Sequence, residues 1–233
     1  MFSKTTNGFD SVKKIYCINL RRRTDRLSRF ITDFPDSWMN KLAIIPAVDG
    51  SSHSLSESEK HNLRNANWDI EKGRAQWGCS FSHEHIWRTI VEEEIEYAFI
   101  LEDDAIFNGS ESRIEETMKM VKLLNLPVCF LGPDNHPENT QSTPHDFTDL
   151  VSPRICRIKS NLGTMSYIIS LQGAAALLQI IEERGHYRAI DQVINDYMKQ
   201  RNEWFCSAPP MFSINPGLGS DIKPVESWLP HKN

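Results

Sequence analysis

Two periods of apolar residues alternate along the chain. Lys13 to Leu20 (KKIYCINL) is a strand-like run. Beyond it Thr24 is placed to cap a helix in which Leu27, Phe30, Ile31 and Phe34 recur at i, i+3, i+4 and i+7 until Pro35. The pattern predicts a strand, a basic loop and a helix. Leu42 to Val48 (LAIIPAV) reads as a second strand closing on Asp49-Gly50, and Ser56 with Glu59 suits a capping box opening a polar helix toward Trp68. Gly78 to Ile95 predicts a helix with His83, Ile86, Trp87 and Ile90 on one face and His85 elsewhere. Tyr97 to Leu101 (YAFIL) is an unbroken apolar run, the look of a strand buried on both faces, and it ends in Glu102-Asp103-Asp104.

The alternation continues. A helix is predicted from about Ser112 to Leu124, with Ser112 and Glu115 as its capping box, and then a strand from Val128 to Leu131. Met165 to Ser170 is strand-like, Gln172 to Glu183 a helix closed by Gly185, and Ala189 to Lys199 a helix striped by Ile190, Val193, Ile194 and Tyr197. Strands and helices in turn predict an α/β fold. Pro133 to Leu150 is polar, carries three prolines and lacks periodicity, which reads as a mobile loop beside a site or a surface insertion. The Pro- and Gly-rich stretch 209–233 is expected to be an irregular tail. At 233 residues, one elaborated domain spanning 1–233 is expected.

Charge narrows the partners. The net charge is −5 and no basic stripe dominates, so nucleic acid is not expected as a partner. Arg21-Arg22-Arg23 with Arg26 is a cluster that suits one phosphorylated small molecule or a solvated turn. Apolar runs are far shorter than the roughly 20 residues of a membrane span. The polar start of the chain lacks the apolar segment of a signal peptide, so a cytoplasmic location is expected, with peripheral membrane contact left open. The 5 cysteines are scattered without a C-x-x-C pair and read as buried free thiols.

The strongest chemical feature is Glu102-Asp103-Asp104, because adjacent carboxylates repel unless water or a cation neutralises them. In extended backbone Glu102 and Asp104 project to one side and Asp103 to the other, so the two could share Mg²⁺ or Mn²⁺. A solvated acidic turn is the plain alternative. The end of a buried strand, where open α/β sheets bind ligands, favours a site. His83, on an apolar helix face beside Ser82, reads as a core histidine or a site residue. G-x-S-x-G, P-loop and G-x-G-x-x-G patterns are absent from the sequence.

Tyr16 to Arg26 (YCINLRRRTDR), Ile45 to Gly50 (IPAVDG), Gly78 to Trp87 (GCSFSHEHIW), Phe99 to Phe107 (FILEDDAIF), Gly163 to Leu178 (GTMSYIISLQGAAALL), Asp191 and Ser220-Asp221-Ile222 follow one another in an order and spacing that resembles glycosyltransferase family 25. That family holds lipooligosaccharide and procollagen galactosyltransferases. The resemblance implies a GT-A-like fold, a Rossmann-type mixed sheet flanked by helices, and transfer of a sugar, galactose above all, from a UDP-sugar to a glycan or hydroxylated protein or lipid acceptor with inversion. It implies that Asn19, Leu20, Arg23, Arg26, Asp49, Gly50, Ser82, His83 and Asp103 face the nucleotide sugar. Glu102 and Asp104 would hold Mn²⁺ or Mg²⁺. Asp191 is the candidate base, and Asp221 the runner-up base or, preferred, a third metal ligand. Two residues before the Gly-Cys pair the family usually carries an acid, where this chain has Gln76. A module that binds the nucleotide sugar or glycan without turnover is therefore the alternative.

Overall fold

Strand β1 (Lys14–Asn19) runs parallel to β2 (Leu42–Pro46) on one side and to β3 (Tyr97–Glu102) on the other. The computed structural model describes residues 12–63, 71, 73–132, 147–159, 161 and 163–222. Beyond β3 the sheet continues through β8 (Ser166–Ser170), β5 (Val128–Phe130), β9 (Phe205–Ser207), β7 (Ile155–Ile158) and β6 (Phe147–Ser152). The order β2-β1-β3-β8-β5-β9-β7-β6 is mixed, since β8 pairs antiparallel with both β3 and β5. A separate ribbon joins β4 (Ala105–Phe107) to β10 (Phe212–Ile214).

Alternation along the central strands divides the core in two. Tyr16, Ile18, Ala98 and Ile100 pack on helices α3 (Arg74–Glu92), α5 (Leu171–Arg184) and α6 (Ile190–Arg201). Ile15, Cys17, Phe99 and Leu101 pack on α1 (Thr24–Asp33) and α4 (Glu111–Leu123). A sheet buried on both faces explains why the YAFIL run carries no polar alternation. The fold class is the expected one, a mixed sheet flanked by helices.

Several boundaries differ from the sequence reading. Arg23 takes the cap position of α1 without a side-chain bond to the helix's free N–H groups, Thr24 is already helical, and Ile31 is 40% exposed. Ser110, not Ser112, caps α4, its Oγ accepting from Arg113 N at 3.4 Å. The Ser56–Glu59 box opens α2 (Glu57–Leu63) as expected, with Ser56 N donating to Glu59 at 2.7 Å and Glu59 N to Ser56 Oγ at 3.2 Å. Its continuation toward Trp68 lies outside the described residues. The expected loop 133–150 ends instead in strand β6 from Phe147, and 133–146 lie outside the described residues. The tail is not wholly irregular either, because β10 and a 3₁₀ turn at Pro216–Leu218 order it, while 223–233 lie outside the described residues. All 5 cysteines are free. Among the described residues no helix is long and apolar enough to cross a membrane.

Candidate functional site

Parallel pairing of β1 with β3 places Ile18 opposite Glu102, so the arginine loop and the acidic turn leave the same edge of the sheet. That edge, outside the carboxyl ends of parallel strands, is where open α/β sheets hold ligands. Buried Asn19 joins the two segments, its Nδ2 donating to Arg23 O at 3.1 Å and to Asp103 Oδ2 at 2.6 Å. Arg23 N donates to Leu20 O at 2.7 Å, closing the loop as a turn. Arg26, 6% exposed in the first turn of α1, lies 3.0 Å from Asp103 and also pairs with Asp104.

Glu102 and Asp104 do not share a side. The strand ends at Glu102 and Asp103-Asp104 form a turn, pinned where Asn215 N donates to Asp104 O at 2.9 Å as the chain peels off to pair β4 with β10. Glu102 continues the face of Ala98 and Ile100 toward α3, whereas Asp103 and Asp104 both reach Arg26. The expected alternation therefore holds for Glu102 and Asp103 and fails at Asp104, because the backbone is no longer extended.

Their charges differ accordingly. Burial, with the Glu102 and Asp103 charges, pushes the Asp104 carboxyl up to about 7 against the pull of Arg26, and Asp104 Oδ1 is buried without a hydrogen-bond partner among the described residues. Asp103 is raised by burial, which Arg26 and Asn19 only partly offset. Burial works against ionised Glu102 too, yet His83 and Thr164 hold it below the usual carboxylate range. Thr164 Oγ1 donates to Glu102 at 2.6 Å and His83 Nε2 lies 3.7 Å from it.

His83 is wholly buried, with its ring between Tyr167 and Glu102. Tyr167 OH accepts from Trp87 Nε1 at 3.0 Å and lies 2.8 Å from His83 Nδ1. An indole only donates, so the acceptor for the buried hydroxyl's own proton is His83 Nδ1. The tautomer that serves this chain carries its proton on Nε2, which faces Glu102 at 3.7 Å without a hydrogen bond.

Gly50 and Ser82 act on the backbone rather than toward open space. A Cβ at Gly50 would overlap the Arg74 carbonyl, and one at Gly78 would meet Val48 O at 2.6 Å, so both glycines let the Asp49 loop lie on α3. Ser82 Oγ bolts it there, accepting from Val48 N at 2.8 Å and donating to Gly78 O at 2.7 Å. Asp49, held ionised by Ser51 and Arg22 despite partial burial, pairs with Arg22 at 2.8 Å. Gln76 is buried in the first turn of α3.

Asp191 opens α6, its carboxylate accepting from Gly163 N at 3.0 Å and Gln192 N at 2.8 Å. Burial and the charge of Glu102 nevertheless raise its pKa. Glu84 of α3, 2.7 Å from buried His186, steadies the segment that leads into α6. Asp221 is brought to guanidiniums, not carboxylates, lying 2.6 Å from Arg22, 2.5 Å from Arg23 and 3.5 Å from Arg26. Arg22, Thr164 and Tyr167 were missing from the sequence-derived site. All of them lie inside the quoted motifs, and Arg22 sits within the basic cluster already noted.

A divalent cation fits the acidic turn. A buried carboxylate with a free oxygen and an elevated pKa is short of positive charge, and hard oxygens suit Mg²⁺ or Mn²⁺. Cys79, His83 and Glu102 bring a second, softer donor set within 4.8 Å.

The model for "Glycosyltransferase family 25 (LPS biosynthesis protein)" matches residues 12–194. Procollagen galactosyltransferase 2 of Mus musculus is 26% identical over 251 residues, covering 95% of this chain and 38% of its own length. A glycosyltransferase 25 family member of Aedes aegypti is 26% identical over 233 residues, covering 94% and 33%. The chain thus spans less than half the length of these curated relatives. Among solved structures, UDP-glucose pyrophosphorylase complexed with UDP-glucose aligns with a TM-score of 0.44 at 10% identity, over 88% of this chain and 92% of that one.

Proposed function

The chain belongs to glycosyltransferase family 25, and from that premise we propose that it moves a hexose, galactose, from a UDP-sugar to a hydroxyl of a glycan or a hydroxylated protein or lipid, with inversion at the anomeric carbon. One observation carries the reading: the arginine loop after β1 and the acidic turn after β3 meet around Arg26 at the ligand-binding edge of the sheet. Arg22 and Arg23 supply charge-assisted bonds to the diphosphate, and Asn19 with Asp103 fixes the loop that presents them. Asp104 and Asp103 would hold the divalent cation, with Glu102 behind them, oriented by His83 and Thr164. When bound, the cation neutralises charge on the departing diphosphate.

Asp191 is the base. Its elevated pKa keeps it basic enough to take the acceptor hydroxyl's proton as that oxygen bonds to the anomeric carbon. The bond from that carbon to the diphosphate breaks on the opposite side, and its electron pair leaves with UDP.

Calorimetry of UDP binding with Mn²⁺ and with EDTA, paired with an assay for UDP released from UDP-galactose, tests this. Tight binding only with Mn²⁺, with turnover abolished by Asp191→Asn, is expected. Equal affinity in EDTA would remove the cation from the site, and binding without turnover for any acceptor would make the chain a binding module.

A further inference from the structure

Away from the arginine loop, α6 and its flanks wall a cavity of about 340 Å³ lined by Lys159, Arg188, Gln192, Asn195, Lys199 and Trp204, with Asp196 beside them. That is the small end of ligand cavities, which run from roughly 300 to 1,000 Å³, and has room for a sugar ring. In a chain of net charge −5 its wall is basic. Its acid, Asp196, is engaged by Arg188 at 3.5 Å and by Tyr187 OH at 3.1 Å. Lys159 and Lys199 have no ion pair among the described residues. Trp204 is held in place, its Nε1 donating to Asn195 Oδ1 at 3.2 Å. A fixed aromatic ring, amide groups and unpaired cations together suit a ligand that is part sugar and part anion.

A chain of hydrogen bonds links the cavity wall to the candidate base. Asn195 lies one helical turn beyond Asp191 and accepts from Asn161 N at 3.2 Å. Asn161 Nδ2 donates to Gly163 O at 2.9 Å, and Gly163 N donates to Asp191 at 3.0 Å.

We propose that this cavity is an acceptor subsite for an acidic saccharide, one carrying a phosphate or carboxylate, with its sugar against Trp204 and its anion at Lys159 and Lys199. The role of acceptor rests on the transferase reading above; binding of an acidic saccharide does not.

Glucose 6-phosphate, galacturonic acid and galactose, titrated separately into the ¹⁵N-labelled full chain, test it through the Trp204 indole N–H signal. Both acids are expected to shift that signal saturably, and galactose is not. Lys159→Glu with Lys199→Glu should weaken the acids about 10-fold, as expected for two exposed charges, and leave the melting temperature and UDP affinity unchanged. Equal shifts from galactose, no shift from any probe, unchanged affinity in the double variant, or displacement of the acids by UDP would each overturn the proposal. UDP binding is read in the same preparation. Acids that bind at Trp204 while UDP fails to bind would sustain the saccharide site and remove the transferase reading instead.

Discussion

Asp104 illustrates how far a single group can be driven from its solution behaviour. Its carboxyl rises from 3.8 to about 7, so in the absence of a cation the folded chain holds a proton that the unfolded chain releases above pH 4. Stability must then fall as pH climbs from about 4 to about 7, and stay at the lower level above that. Asp104→Asn removes the cost while Arg26 keeps Asp103 as its partner. In EDTA its melting temperature should exceed that of the parent at pH 8 and match it near pH 4, as read by calorimetric scans at both values. Tyr167→Phe should do the opposite at every pH. It strands Trp87 Nε1 and His83 Nδ1 in the core, a loss of about 1–3 kcal/mol by denaturant titration. At this scale the acidic triplet and the buried histidine were legible because residue type and burial are local. The shared side of Glu102 and Asp104 was not, since it assumed extended backbone where the chain turns.

Elements of ten residues or more were legible for the same reason, as α3, α5 and α6 repeat their apolar stripe often enough to declare the period. Strands of three or four residues such as β4, β7, β9 and β10 do not repeat anything, and their place comes from partners distant in sequence. The close contact between the Asp49 loop and α3 was written in the sequence only as two separate glycines. Gly78→Ala would force Val48 O away from the helix, because that neighbour is backbone and cannot rotate aside. An overpacking cost of about 1–3 kcal/mol is expected, together with weaker UDP binding as Asp49 shifts from Arg22. Unchanged stability and affinity would show that the loop moves freely.

Across the whole molecule, the sheet order was beyond the reach of pattern, because both β3 and β8 read as buried strands whichever neighbours they take. What the finished topology does is carry the far end of the chain back to its beginning. Asp221 meets Arg22 across 199 residues, and its two oxygens pair with Arg22 and Arg23, the two guanidiniums proposed for the diphosphate, with Arg26 at 3.5 Å. On that proposal the arginine loop has a resident competitor. A donor that must displace Asp221 binds with its intrinsic affinity multiplied by the fraction of molecules in which the latch is open, so the protein trades tightness for a loop whose like charges are neutralised before the donor arrives. Asp221→Asn should accordingly strengthen UDP binding several-fold in calorimetry without cation, and a weaker complex would instead make Asp221 part of the donor's own binding surface.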